Sequence, residues 1–144
     1  MIIRAIKDED SSFVKHLAET ALPGRTDCQE FFEKESVKCF VGEKEHTLIG
    51  FIAVSLLGPN AEILHIAIDE SERKKGHGKA LMEHTLRHCR KQGVKMVTLE
   101  MNKNDVDHRR FYEHCGFEAV ATRKNYYHTG EDALLMVKRL RKER

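Results

Sequence analysis

The stretch from residue 64 to residue 79 constrains the fold of this chain more than any other part of the sequence. An apolar run over residues 64–68 predicts a buried strand, a short polar turn follows, and Gly76 and Gly78 open a helical pattern that continues to Lys91. Glycine lets a backbone approach a ligand closely, and the free N–H groups of a first helical turn point toward an anion. The cations around this point are Arg73, Lys74, Lys75 and Lys79. Because cations are unfavourable at a helix N-terminus, they predict a bound anion such as a pyrophosphate; the alternative is a solvated, lysine-rich helix start.

Two better-known phosphate motifs do not fit this stretch. A Walker loop needs glycine five residues before Gly78, where Arg73 stands, and Ala80 replaces the hydroxyl residue that would hold magnesium. A dinucleotide-binding fingerprint needs a third small residue at position 81, which is Leu81. The anion is therefore expected to belong to a different class of ligand.

The periodicity of the remaining sequence predicts an α/β domain with a mixed sheet, and the length predicts one domain over residues 1–144. Predicted strands cover residues 2–6, 37–41, 47–57, 61–68, 95–101, 117–122 and 133–140, with a hairpin turn over residues 42–46. Predicted helices cover a segment capped by Asp8 or Asp10 and ending at residue 21, and residues 27–35, 78–91 and 105–114. A helix between the strands ending at 68 and starting at 95 implies that those two strands pair in parallel.

Charge and cysteine usage exclude several classes of protein. The formal net charge is only +2, which argues against a dedicated DNA- or membrane-coating protein but leaves room for a local basic patch. The longest apolar run, residues 48–57, is half of the roughly 20 residues of a membrane helix, and the apolar N-terminal run stops at Arg4 without a signal-peptide pattern. The cysteines never form Cys-x-x-Cys, so we expect reduced thiols and a cytoplasmic protein.

The phosphate stretch resembles the acetyl-CoA loop of the GNAT superfamily of N-acetyltransferases, which carries Arg-x-x-Gly-x-Gly after a strand such as Ile66-Ala67-Ile68. The predicted element order is similar to that family's along nearly the whole chain. The resemblance implies a GNAT fold, with a mostly antiparallel twisted sheet, one parallel pair and helices on both faces. It also implies pantetheine along the backbone of Ile66, Ala67 and Ile68. The residues it implies for the pyrophosphate are Arg73, Lys74, Lys75, Gly76, His77, Gly78 and Lys79.

Glu100 is the leading candidate for a general base. Acetyl transfer to an amine requires that the amine lose its proton, and Glu100 lies in the apolar strand 96–101, where a carboxylate is costly unless it is functional or paired. The alternative is an exposed carboxylate near the end of a strand.

Tyr112 is the candidate general acid. Its segment, Phe111-Tyr112-Glu113-His114-Cys115-Gly116-Phe117, is similar to the family's aromatic-Tyr-x-x-x-Gly-Phe signature, in which the phenol faces the CoA sulfur. A phenol of pKa about 10 can protonate a leaving thiolate of about 8.5 without being ionised at neutral pH. Read without the family, Tyr112 is a core aromatic on an amphipathic helix.

Other polar residues have weaker claims to a role. The family often has Asn where this chain has Asp105, so Asp105 either contacts the cofactor or caps the next helix. Cys115 with His108 or His114 is a poor nucleophile candidate, because nothing indicates a lowered thiol pKa. His84 and His88 have metal-ligand spacing on a helix face expected to be exposed, but no third ligand is evident, so no metal is predicted.

The chain end is similar to the Asn-Tyr-Tyr…Gly-Glu-Asp-Ala-x-x-Met segment of ribosomal-protein-alanine N-acetyltransferases and of N-terminal acetyltransferase catalytic subunits. The resemblance implies that Tyr126 and Tyr127 line a slot for a peptide N-terminus and that the loop at Pro23 forms its other wall. The alternative for the two tyrosines is a pair of hairpin aromatics, one facing in and one out. An α-amine also suits a carboxylate base, since it titrates roughly 2.5 pH units below lysine, which amounts to about 3 kcal/mol of deprotonation.

These observations predict an acetyl-CoA-dependent enzyme that acetylates a protein N-terminus, a ribosomal protein being one possible target, by direct transfer in a ternary complex. Acetyl-CoA is the co-substrate, and neither DNA nor a membrane is expected as a partner. Two alternatives stay open: acetylation of a small-molecule amine such as a polyamine or aminoglycoside, and a non-catalytic acyl-CoA sensor. The sequence leaves the choice between monomer and homodimer open.

Overall fold

A computed structural model describes residues 1–21, 35–124, 126 and 130–141 of the chain. Its strands are β1 (Ile2–Ala5), β2 (Val37–Lys44), β3 (Thr47–Leu57), β4 (Asn60–Ile68), β5 (Met96–Asn102), β6 (Glu118–Arg123) and β7 (Ala133–Arg139). Its helices are α1 (Ser11–Ala21), α2 (His77–Lys91) and α3 (Val106–His114), with 3-10 turns at Asp8–Asp10 and Glu70–Glu72. The predicted helix over residues 27–35 lies, apart from its last residue, outside the described residues.

The strands form one seven-stranded sheet in the order β1-β2-β3-β4-β5-β7-β6. Only β4 and β5 pair in parallel, and every other neighbouring pair in this described sheet is antiparallel. β4 and β5 are parallel because α2 lies between them in the chain and returns it to the end of the sheet at which β4 began. The predicted mixed fold, with one parallel pair, is confirmed.

The predicted hairpin turn over residues 42–46 is too long. Strands β2 and β3 continue to Lys44 and from Thr47, so that only Glu45 and His46 form the turn, with φ of 50° and 65°. Two positive φ values match the type I′ turn, whose twist suits a hairpin even without glycine. Gly42 lies within β2, where it pairs with β1 on one side and stands beside a register shift with β3 on the other. The pairing with β1 keeps this part of the chain in the strand.

Two cores cover the two faces of the sheet. The α2 core contains Leu81, Met82 and Leu86 of α2 against inward-facing residues of β3, β5 and β7. The α1 core contains Val14, Leu17 and Ala18 against β2 and β3. Helices therefore lie on both faces, as predicted, because each helix presents one apolar stripe to the sheet.

β4 contains a β-bulge that changes its course within the sheet. Ala53 of β3 pairs with His65 but Val54 pairs with Ile63, so Leu64 is an extra residue without a partner opposite it. A bulge bends its strand and increases the local twist. As a result Ile63 packs in the α2 core while Ala67, four residues later, packs in the α1 core, although regular alternation would keep both on one face.

Candidate active site

The candidate site is a gap in the sheet between β4 and β5. The two strands pair only where residues 60–62 of β4 meet residues 96–98 of β5. Beyond that point β4 continues to pair with β3, and β5 with β7, so the facing edges of the two strands have no ladder partner among the described residues. Ile66, Ala67 and Ile68 lie on this open stretch of β4. Apart from the Ile68 carbonyl, which accepts from Arg73, the backbone groups on this open edge are available to a ligand, as the prediction for pantetheine requires.

The turn before α2 has the backbone shape of an anion site. Lys74 has φ of 62° and Gly76 has φ of 85°, and Gly76 is the N-cap of α2 with no capping side chain. Alternation of positive and negative φ turns successive N–H groups toward one concavity. The amide of Ala80 donates to the carbonyl of Gly76, so the amides of His77, Gly78 and Lys79 have no acceptor within the helix. Lys74 adopts a left-handed conformation that is costly for a residue with a side chain, and such strain clusters at ligand sites.

Gly78 joins this turn to the other parts of the site. A Cβ atom at Gly78 would lie 3.3 Å from both Cε2 and Cζ of Phe111 on α3, and 3.9 Å from Cγ1 of Ile68. The first turn of α2 therefore packs directly against α3 and the end of β4. The second glycine of the motif serves this close packing, while Gly76 serves the left-handed cap.

The four cations around the turn do not act alike. The Arg73 guanidinium donates through Nε to the carbonyl of Ile68 at 3.1 Å, which fastens the turn to the end of β4. Lys75 donates to the carboxylate of Glu72, as does Lys44 of β2. Partial burial raises the pKa of Glu72, but its bonds to these two lysines outweigh that effect and hold the pKa below its usual value. The side chains of Lys74 and Lys79 are exposed.

His77 completes this arrangement, since its Nε2 lies 3.3 Å from Oε2 of Glu72. The sequence analysis missed Glu72, whose carboxylate connects the turn to β2 through its contacts with Lys75, His77 and Lys44. The signal was present, because Glu72 directly precedes the basic run Arg73-Lys74-Lys75.

Glu100 lies on β5 where the strand faces the gap. Its neighbours Leu99 and Met101 are buried in the α2 core, so Glu100 points to the opposite face of the sheet. Its side chain is 20% exposed, and Nη1 of Arg123 lies 3.4 Å from its Oε1. Glu100 is thus a half-buried, paired carboxylate two residues before the end of its strand, and it does not match the alternative of a freely exposed one.

Tyr112 lies on α3, on the other face of the sheet, and packs half-buried against the α2 core. Its ring centroid lies 5.4 Å from that of Phe111 and 6.2 Å from that of Phe117. Phe111 in turn contacts Gly78, so this aromatic group connects Tyr112 to the anion turn. The gap between β4 and β5 is the passage that joins the two faces on which Glu100 and Tyr112 lie.

Asp105 caps α3. Its Oδ1 accepts from the backbone amide of His108 at 3.1 Å, and its Oδ2 contacts Nδ1 of the same histidine. The expected capping role is confirmed, and both carboxylate oxygens are occupied by it. Contact between Asp105 and the cofactor stays a prediction.

The aromatic slot expected for the acceptor is described only in part. Tyr126 is 49% exposed, and Cζ of Arg123 lies 5.5 Å from the centre of its ring. Arg123 therefore touches both Glu100 and Tyr126, a connection that the sequence analysis did not identify. Pro23 and Tyr127 lie outside the described residues.

The described cysteines do not have the properties of a reactive thiol. Cys39, Cys89 and Cys115 are free thiols. Burial raises the pKa of each, to about 12 for Cys39 and about 11 for Cys89, which disfavours the thiolate.

The expectation that His84 and His88 lie on an exposed face is wrong. Both are half-buried with their rings against Phe40, and burial lowers the pKa of both. In the described part of the chain, no group of three or more His, Cys, Asp or Glu residues could hold a metal ion. Every helix in the described residues is too short or too polar to span a lipid bilayer.

Comparison with known proteins places this geometry in a class. The profile of the Acetyltransferase (GNAT) family matches residues 3–117. A ribosomal protein bS18-alanine N-acetyltransferase of Escherichia coli is 32% identical over 92 residues, covering 62% of this chain and 62% of that enzyme. This chain thus spans about three fifths of the length of the bS18-acetylating relatives that it matches. An uncharacterised N-acetyltransferase of Methanocaldococcus jannaschii is 31% identical over 144 residues, covering 96% of this chain and 92% of that protein.

Solved structures show the same fold. The crystal structure of Ard1 from Thermoplasma volcanium superimposes with a TM-score of 0.86 at 30% identity, covering 98% of both chains. That of the Escherichia coli ribosomal-protein-S18-alanine N-acetyltransferase superimposes with a TM-score of 0.88 at 24% identity, covering 99% of this chain and 96% of that one.

The fold that positions this site is thus that of the N-acetyltransferases to which the chain is similar. The chain belongs to the GNAT family of acetyltransferases, and the sequence-based prediction of this family is confirmed.

Proposed function

We propose that this protein transfers the acetyl group of acetyl-CoA to the N-terminal α-amino group of a protein, by direct transfer in a ternary complex. The observation that carries the proposal is the position of Glu100, half-buried at the gap between β4 and β5, next to Arg123 and, through it, Tyr126. The bS18-acetylating relatives support the choice of a protein N-terminus, and a ribosomal protein is a natural first target. The cytoplasm is its expected location.

Each step has a residue suited to it. Glu100 accepts the proton of the substrate ammonium, directly or through water, and the neutral amine attacks the thioester carbonyl. Backbone N–H groups on the open edge of β4, near Ile66 to Ile68, stabilise the negative charge that develops on the carbonyl oxygen. Tyr112 donates its phenolic proton to the thiolate that departs as the C–S bond breaks, and the proton that the amine nitrogen loses on becoming an amide restores the phenol. The amides of the turn before α2 hold the pyrophosphate of the co-substrate.

Arg123 has a place in this scheme. A protein N-terminus arrives largely as a cation at neutral pH, and it must take the position beside Glu100 that the guanidinium holds. The Arg123 side chain is 58% exposed, so it can move away at modest cost. The aromatic ring of Tyr126 offers the displaced guanidinium a second favourable contact.

The small-molecule alternative receives less support from the structure. Residues 105–108 could give such an amine polar contacts, but two of them, Asp105 and His108, bind each other in the cap of α3. These two side chains are therefore partly engaged in holding the helix end.

The test is a comparison of acceptors and variants. Purified enzyme is given acetyl-CoA with peptides whose N-termini are free or blocked, and with polyamines and aminoglycosides. We expect turnover with free N-termini and a loss of about 10²- to 10⁴-fold in kcat for Glu100→Gln. Affinity for acetyl-CoA should stay unchanged in that variant. Glu118→Gln, which removes an exposed carboxylate from β6, is the matched control and should keep full activity. Turnover with the small amines alone would refute the substrate, and absence of turnover with intact acetyl-CoA binding would indicate a sensor.

A further inference from the structure

A basic groove runs along α2 away from the anion turn. It consists of two adjoining depressions, of about 490 Å³ and 440 Å³, which share Arg90. The Lys and Arg residues that line it are Lys79, Arg87, Arg90, Lys95, Lys138, Arg139 and Arg141, and the only acidic lining residue in the described chain is Glu83. This concentration of charge stands out in a chain whose formal net charge is only +2.

These cations have no carboxylate partner in the part of the chain that the structure describes. Among the described residues none of the seven forms an ion pair with a carboxylate, and Lys138 donates instead to the carbonyl of Cys115 at 2.8 Å. Arg90, in the last turn of α2, also interacts favourably with the helix dipole. That explanation does not extend to Lys95, Arg139 and Arg141, which lie at or beside the ends of strands β5 and β7. The fold therefore gathers like charges from separate elements at one place.

The groove is separate from the acetyl-transfer site. Lys79 belongs to the anion turn, but Arg90 lies eleven residues further along α2, or about 16 Å at the rise of an α-helix. The far end of the groove is lined by Met96, where β5 begins, whereas Glu100 lies beyond the β4–β5 pairing toward the other end of that strand. A small co-substrate in the gap thus leaves most of the groove open.

We propose that this groove binds a single nucleic-acid strand through its phosphodiester backbone. Its cations repeat at short intervals along two directions, with Arg87 and Arg90 one helical turn apart and Arg139 and Arg141 two residues apart at the end of β7. Such spacing suits successive phosphates, and guanidinium groups bind phosphate oxygens in a bidentate manner. Among the described lining residues only His114 has an aromatic ring on which a base could stack, so we expect the groove to bind by charge and shape without base preference.

The test measures binding of fluorescein-labelled oligo(U) and oligo(dT) 20-mers by anisotropy over a range of salt concentrations. We expect binding that weakens steeply with salt. Arg87→Gln/Arg90→Gln should lower affinity about 10-fold at low salt and reduce the log–log salt slope by about 1.4, at about 0.7 per lost phosphate contact. Arg139→Gln/Arg141→Gln, in the second depression, should give a comparable loss. Lys7→Gln/Lys38→Gln removes the same charge from exposed positions outside the groove and should bind as the wild type does.

Each further outcome decides for or against the groove. Equal binding of the two oligonucleotides assigns the site to the phosphodiester backbone, and tighter binding of oligo(U) assigns it to RNA. Displacement of the oligonucleotide by saturating acetyl-CoA would overturn the proposal, since the cofactor site would then account for the binding. Tighter binding of polyglutamate than of either oligonucleotide, at the same charge concentration, would overturn it in favour of an acidic protein partner. Equal affinity of the wild type and both groove variants would also overturn it.

Discussion

Two glycines that face each other across β2 and β3 should respond differently to substitution by alanine, which should lower stability at one of them and not at the other. Gly42 and Gly50 are register partners, and at each of them an added Cβ would meet an atom closer than 3 Å. At Gly50 the neighbours are Cδ1 of Ile68 at 2.5 Å and the backbone carbonyl oxygen of Ala67 at 2.8 Å. At Gly42 the neighbour is Sδ of Met1 at 2.7 Å, the far end of a flexible side chain.

The size of the effect follows from what can move. The Ala67 carbonyl belongs to β4, which the register Gly50–Ile68 and Phe51–Ala67 holds against β3. Gly50→Ala must therefore push the strands apart, and overpacking of this kind costs about 1–3 kcal/mol. Replacing a strand glycine returns about 0.5–1 kcal/mol, which leaves a net loss of about 1–2 kcal/mol at Gly50. At Gly42 the methionine can rotate away, so the same gain leaves stability equal or slightly higher.

The assay is thermal unfolding of the two variants together with steady-state kinetics. We expect the Tm of Gly50→Ala to fall by about 3–7 °C and that of Gly42→Ala to change by less than about 2 °C. Ala67 and Ile68 also lie on the open edge proposed to hold pantetheine, so Gly50→Ala should raise KM for acetyl-CoA while Gly42→Ala leaves it unchanged. Equal stability of the two variants, or an unchanged KM in Gly50→Ala, would refute the reasoning that the β3–β4 contact is tight and positions the site.

Three further predictions concern charge and thiol chemistry. Arg123→Met should lower KM for the peptide several-fold, because the substrate ammonium no longer competes with a guanidinium for Glu100. Lys124→Met removes the adjacent exposed cation and should leave KM unchanged. An unchanged KM for Arg123→Met would contradict the displacement step. The pKa of Asp10 is held below 3.8 chiefly by its bond to Arg4, so Asp10 stabilises the fold above that pH and loses this contribution as the pH falls through its lowered pKa. Asp10→Asn should therefore cost about 2 kcal/mol in urea unfolding at pH 7 and progressively less in acid, and a constant deficit would argue against it. In a Cys28→Ser background, the three described thiols should react with a disulfide reagent at pH 8 at least ten times more slowly in the folded than in the unfolded protein, since burial raises their pKa; rapid labelling of Cys115 would reopen its candidacy as a nucleophile.

The features that the sequence predicted well depend on short-range patterns. The strand, turn and Gly-x-Gly before α2 are visible within sixteen residues, because glycine, helix polarity and apolar runs act locally. The alternation around Glu100 marked it as a polar residue in an apolar strand for the same reason. Asp105 as a cap also follows from a local rule, since the accepting side chain and the donating amide are three residues apart.

The features that the sequence analysis missed depend on contacts between distant segments. Helical spacing separated His84 and His88 from the apolar stripe of α2, but Phe40 of β2 covers them, and periodicity contains no information about which strand a helix face will meet. Arg123 is 23 residues from Glu100, and only the pairing of β6 with β7 and of β7 with β5 brings them together.

The sequence by itself determined the chemistry available to this protein. It supplies glycines and free amides for an anion, a carboxylate in an apolar strand, and a tyrosine beside a phenylalanine on an amphipathic helix. The tertiary structure decided how that chemistry is arranged, because the extra residue at Leu64 bends β4 away from β5 and opens the gap on which both sides of the site converge. Residue types and local spacing set what each group can do, whereas strand register, which depends on packing across the whole sheet, sets which groups meet.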